Sequence, residues 1–251
     1  MPDIVLHTRF GAEVLRKVNF KVKRDIYRFG LLGPDPFLFY RFYVPPFRNK
    51  VNKYSSVMHR EHTADFLVEL ARRSKNNRKM FSYLCGFLCH YALDSTTHPY
   101  INAKAKNSRV MHMAIEHRLD IMSGGNILIP PFLPSSMKKD VGGAITKIYG
   151  WPDAWEKLRQ GRLDMGPFYK IVSDKNGILA RFAPIISKKL ALVSYKSKAI
   201  EKMNLFGFYP LYSKALKVAV NYLNAAYAFV KGSISEAKFR KIIGNHSYID
   251  G

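Results

Sequence analysis

A chain of 251 residues, 47% hydrophobic and 14% aromatic, is long and apolar enough to bury a core, which excludes a disordered chain. Its 41 Lys and Arg against 18 Asp and Glu give a formal charge of +23. That field suits anionic membrane surfaces, nucleic acids and phosphorylated substrates alike, or a solvated basic surface kept for solubility. The basic residues are dispersed at helical spacing, which argues against a disordered nucleic-acid arm.

In chain order, Met1-Pro2-Asp3-Ile4-Val5-Leu6-His7 lacks the basic region and apolar core of a signal peptide, and no run reaches about 18 apolar residues. A cytoplasmic chain, or one peripheral at a membrane, is the expectation. Leu15, Val18, Val22 and Ile26 recur at helical spacing and predict a first helix over 10–28. Gly30 to Pro36 is a break, and the aromatic stretch 37–47, with Pro45-Pro46 in it, reads as irregular. A second helix is predicted over 56–74 and a polar turn over 75–79. A third, over 80–97, is apolar on nearly every face, which places it in the middle of a bundle, and Pro99 ends it. Cys85 and Cys89 lie four apart in that helix, a poor disulfide geometry, so both read as reduced, buried residues in a reducing compartment.

A helix over 110–122 follows. Gly124-Gly125 and Pro130-Pro131 mark a second irregular segment. Helices are predicted over 137–149, 154–159, 184–203 and 210–230, the last with Leu211, Leu216, Val220, Leu223 and Tyr227 as its stripe. A final helix is opened by a Ser233–Glu236 capping box and stopped by Gly244. Strand alternation, repeats and long linkers are lacking. The prediction is an all-α fold in a single domain over 1–251, with the chemistry-bearing residues in 1–122 and a basic helical part over 135–251.

Histidine and carboxylate usage carries the chemistry. His90 and Asp94, four apart, share one face of the most apolar helix, where a charged Asp is costly unless paired or bound to a cation. His98 follows four later, and His112 with Glu116 repeats the spacing on the next helix. Two such pairs on adjacent helices can converge on metal ions, and imidazole with carboxylate suits zinc. His7, Asp35 and His59 are further candidates by type, although each alone reads as a cap, a turn residue or a surface histidine. His62 and His117 lie near the candidates, and His246 sits in the C-terminal tail. No convincing nucleophile motif and no phosphate-binding glycine loop is present.

The run Phe87-Leu88-Cys89-His90-Tyr91-Ala92-Leu93-Asp94-Ser95-Thr96-Thr97-His98-Pro99-Tyr100 resembles the central motif of the bacterial zinc-dependent phospholipase C family. So do the Met-Pro-Asp-Ile-Val start with His7, the Gly33-Pro34-Asp35-Pro36 turn, Met58-His59-Arg60-Glu61 and the closing Asn245-His246-Ser247-Tyr248. The resemblance is dense over about 1–122. It implies a helical bundle of the phospholipase C and single-strand nuclease type, with two or three zinc ions. Carried over, Asp35, His59, His90 and Asp94 hold one zinc, Asp94 bridges to a second that also uses His7, and His98, His112 and Glu116 hold the remaining one. Asp35 doubles as the general base. Of His59 and His62, the resemblance favours His59. In secreted members the mature amino group is a ligand about a dozen residues before the first histidine. Here His7 is too close to the start for that spacing, so either the second zinc lacks that ligand or Pro2, after methionine removal, takes its place. The Asp94–His98 interval is also two residues shorter than in those members.

The implied activity is phospholipase C hydrolysis of a phospholipid by a zinc-activated water, with the basic surface drawing the chain to anionic bilayers at about 1 kcal/mol per Lys or Arg. Aromatics of 37–47 line the lipid entrance in that reading, or pack in the core. The alternatives are a zinc-dependent single-strand nuclease and a non-catalytic basic membrane- or nucleic-acid-binding protein with a degenerate metal site. No protein partner is implied.

Overall fold

The computed structural model describes residues 4–44, 49–187 and 192–250, and no strand occurs among them. Pro2, Pro45 and Pro46 lie outside the described residues. The helices are α1 (Ile4–Leu15), α2 (Arg24–Gly30), α3 (Pro36–Phe39), α4 (Asn52–Met58), α5 (Thr63–Ser74), α6 (Arg78–Ala105), α7 (Arg109–Ser123), α8 (Gly143–Tyr149), α9 (Ala154–Ser173), α10 (Ile178–Ile186), α11 (Lys198–Glu201), α12 (Phe208–Val230) and α13 (Glu236–Ile243). A 3₁₀ turn, Ser135–Met137, and a π turn, Lys138–Gly142, lead into α8.

α6 is the axis of the bundle. It is buried without a gap from Met80 to Asp94, and α1, α2, α5, α7 and α12 pack around it. Asn77 caps its start, its side chain accepting from Met80 N at 3.2 Å. α2 crosses α6 backbone to backbone, and a Cβ on Gly86 would meet the Tyr27 carbonyl and lie 2.8 Å from Gly30 Cα. Cys85 and Cys89 are free and fully buried in this axis. No described helix is long and apolar enough to cross a membrane.

Several predicted boundaries are corrected. The first helix is two helices that break between Leu15 and Arg24 and fold back on each other, with Tyr27 Oη donating to the Gly11 carbonyl at 2.8 Å. The break is held from outside: Phe20 stacks on Tyr227 and packs edge-on against Phe81, and Lys23 N donates to Ser82 Oγ. The second helix is also two, α4 and α5, parted by a turn in which His62 takes a left-handed φ of 57°. Pro99 does not end α6, which runs on to Ala105. In the turn before it the hydroxyls of Ser95, Thr96 and Thr97 donate to the carbonyls of Tyr91, Ala92 and Leu93. Beyond the proline, Asn102 holds the last turn by donating to the Ile249 carbonyl.

Further along, α9 extends to Ser173 through Pro167, and the helix predicted over 184–203 is instead α10 and α11, with 188–191 outside the described residues. α12 buries Ala215, Ala219, Tyr222, Ala226 and Phe229, while Tyr227 of the predicted stripe is exposed. Small alanines let α12 approach α6 closely, which a hydrophobicity pattern alone does not reveal. Ser235, not Ser233, caps α13 by accepting from Lys238 N, and Gly244 ends it at φ 66°. In the aromatic stretch Phe37 and Phe39 are core, whereas Tyr43 is exposed.

Candidate metal centre

The eight candidate ligands come together around the middle of α6. Three adjoining groups form, His7–His90–Asp94, Asp35–His59–His90 and His98–His112–Glu116, with the ligating atoms of each within 4.8 Å of one another. All are buried except His112, which is half-buried.

Asp94 is the hub. Its Oδ1 lies 3.2 Å from His7 Nε2, and its Oδ2 lies 3.1 Å from His90 Nε2, 3.6 Å from His59 Nε2 and 3.6 Å from His98 Nδ1. Asp35 Oδ1 sits 3.4 Å from His59 Nε2. At the outer end Glu116 Oε1 is 2.9 Å from His112 Nε2 and 3.4 Å from His98 Nε2. His62 is exposed and pairs with Asp65, so the turn after α4 sends His59 inward and His62 out.

Four histidines have an oxygen opposite Nδ1. His59 donates to the Ser55 carbonyl (2.7 Å), His90 to the Leu31 carbonyl (3.1 Å), His98 to the Tyr248 carbonyl (2.9 Å) and His112 to Asn102 Oδ1 (2.9 Å). Each bond places a proton on Nδ1 and turns Nε2 toward the carboxylates, so Nε2 is the nitrogen a metal would take. Among the described residues, buried His90 Nε2 and His7 Nδ1 have no hydrogen-bond partner. Buried nitrogens left in this state are costly unless something else satisfies them, and a cation among these donors does so. The donor set, all imidazole and carboxylate, fits zinc.

Electrostatics match. Burial alone would raise the carboxyls of Asp94 and Glu116, but the histidines around them outweigh it and hold both well below the usual carboxylate range. Burial would lower His98, yet Asp94 and Glu116 lift it to about 9. Asp35 differs: burial lifts its carboxyl to about 6, with His59 pulling the other way.

The supporting residues are ones that the spacing of ligands does not announce. Gly33, at φ 54°, turns the chain directly under His90, and a Cβ there would collide with the imidazole. Asp120, one turn beyond Glu116, accepts from Val5 N, Leu6 N and Tyr195 Oη, so α7 caps α1 and sets the depth of His7. Its spacing of four from Glu116 is the signal that could have found it. Tyr248 closes the floor: it is buried, its ring packs on His59, and its amide donates to the His59 carbonyl at 2.7 Å. His117 turns away from the ligands onto Tyr195, and burial lowers it to about 4. His246 is not in the centre; its amide donates to Tyr91 Oη.

These features define an all-helical protein with a buried centre able to hold metal ions. The chain belongs to the zinc-dependent phospholipase C family, whose model matches residues 6–155. No curated protein and no solved structure compared with the chain matches it.

Proposed function

We propose that this protein is a zinc-dependent phosphodiester hydrolase that cuts phospholipids on the glycerol side of the phosphate. The observation that carries the reading is the convergence of five histidines and three carboxylates, four of the histidines held through Nδ1 with Nε2 turned inward. Asp35, His59, His90 and Asp94 would hold one zinc, Asp94 and His7 a second, and His98, His112 and Glu116 a third; Asp94 would serve two of them, since Oδ1 faces His7 and Oδ2 faces His90. Bound zinc neutralises a phosphodiester and lowers the pKa of water to about 7.

The chain's own residues do the rest. Asp35, buried with its carboxylate facing His59, would take the proton from the attacking water. No thiolate competes for the role of nucleophile, because burial pushes the Cys89 thiol up to about 12 and raises Cys85 well above its ordinary range. The charge of +23 supports a polyanionic substrate equally, so an oligonucleotide is the second substrate to assay.

The first test is zinc per chain by elemental analysis, on protein purified without chelators, followed by turnover on phospholipid vesicles and on single-stranded oligonucleotides. Two or three ions with diacylglycerol release supports the reading, and ions with oligonucleotide cleavage alone selects the nuclease. Failure to take up zinc, with binding but no turnover on either substrate, would sink the catalytic assignment.

A further inference from the structure

Away from the metal centre, α10 presents an apolar ridge to solvent. Ile178 is 59% exposed, Phe182 50% and Ile185 79%. Spaced i, i+4 and i+7, they fall within about 60° of one another around the helix. Ala183, on the opposite side, is buried against the protein. The helix is fixed in this orientation from its start. Asp174 accepts from Leu179 N at 3.0 Å, from Ala180 N at 2.8 Å and from Ser194 Oγ at 2.8 Å. Ile171, in the last turn of α9, is also 49% exposed.

The surroundings are cationic. The described residues of 166–200 include five Lys and Arg and one acid, Asp174. That acid is buried and occupied with the cap. Arg181 lies beside the ridge with its guanidinium 5.5 Å from the Phe182 ring centroid, and Lys170 and Lys175 are exposed.

Charge selects the occupant. A second copy would set this cationic flank against another chain of +23. A nucleic acid would pair the cations and leave the isoleucines against phosphates. A bilayer with anionic headgroups accepts both, apolar side chains at the headgroup–acyl boundary and cations at the phosphates. We infer that α10 is a membrane-docking helix, which inserts Ile178, Phe182 and Ile185 into the interface of an anionic bilayer. The ridge lies beyond residues 6–155, so family membership does not supply it. The inference rests on the reading of the substrate as a phospholipid, and its test is kept independent of turnover.

The full chain, loaded with zinc, is sedimented with vesicles of phosphatidylcholine containing phosphatidylserine. The double variant Ile178→Ser/Ile185→Ser is expected to bind these vesicles about 100-fold more weakly, from the apolar area it withholds. Lys175→Gln/Arg181→Gln is expected to lose about 30-fold, and wild-type binding to pure phosphatidylcholine should be weaker by at least as much. Zinc content and hydrolysis of a water-soluble phosphodiester, unchanged in both variants, report that they fold. An Ile185→Cys variant carrying a polarity-sensitive dye, with Cys85 and Cys89 buried and unlabelled, should shift to the blue on the phosphatidylserine vesicles. Wild-type binding by the serine variant, or a dye that does not shift, overturns the inference. So does a dimer, seen in the ultracentrifuge, that the serine variant dissociates without loss of vesicle binding. If no protein hydrolyses any phosphodiester, the catalytic reading fails while the vesicle result stands by itself.

Discussion

The inner and outer ends of the candidate metal centre are built in different ways. The outer group, His98–His112–Glu116, comes from two consecutive helices, and two of its members sit one turn apart on α7. The inner groups draw on α1, the turn at Asp35, the turn at His59 and α6. The His112 side chain is 20% exposed where His90 is wholly buried. A group carried by helical period is local and separable. A group assembled from chain breaks depends on every break holding, so the inner end should fail as a unit and the outer end alone.

Asp94→Ala breaks the comparison hardest, because both inner groups and His98 face that carboxylate. Elemental analysis should show at least two ions lost, and turnover should fall by about 1,000-fold or more. Retention of the wild-type metal content would refute Asp94 as hub. Gly33→Ala should give a similar, slightly smaller loss by displacing His90, with the outer ion retained; the check is zinc stoichiometry beside circular dichroism. Glu116→Gln should release one ion and leave the inner end loaded. If all ions leave together, the two ends are not separable. Asn102→Leu removes the acceptor behind His112 and should weaken the outer ion by about 10–100-fold, read from competition with a chelating dye.

Acidity sharpens the comparison in metal-stripped protein. His98, at about 9 when folded, and His7, also raised, sit above the ordinary 6.5, because Asp94 more than offsets the burial of each. Their contribution to stability is present in full below pH 6.5 and is lost as pH rises from there to about 9. Thermal melts of the stripped chain should therefore fall across that window, and zinc should flatten the slope by fixing both rings as neutral ligands. A stripped chain with a flat profile from 6.5 to 9 would argue against the pairing with Asp94. The smallest effect is expected from His62→Ala, which leaves zinc content and turnover unchanged because that ring pairs with Asp65 in solvent.

How much of this was legible follows from the same division. His90–Asp94 and His112–Glu116 could be read from spacing, since residues four apart share a helical face whatever the tertiary context. The helical class and the burial of α6 were legible because that stretch is apolar around its whole circumference. The split of the first two predicted helices was not, because Phe20 and Lys23 are held by residues 61, 207 and 59 positions away, Phe81, Tyr227 and Ser82. Pro99 misled for a related reason: its local penalty is real, but the far end of α6 is tied to Ile249.

The helical class, the buried axis, the residue types of the candidate centre and, through its motifs, the family were all written in the amino-acid sequence. Those are consequences of local period and residue chemistry. Only the tertiary structure decided which histidine of the pair His59 and His62 turns inward, which nitrogen of each ring faces the carboxylates, and that Asp94 presents one oxygen to each side. Those outcomes depend on carbonyls of Ser55, Leu31 and Tyr248 and on the turn at His62. Backbone groups of that kind carry no signature in the side-chain alphabet, and folding alone brings them to the rings they orient.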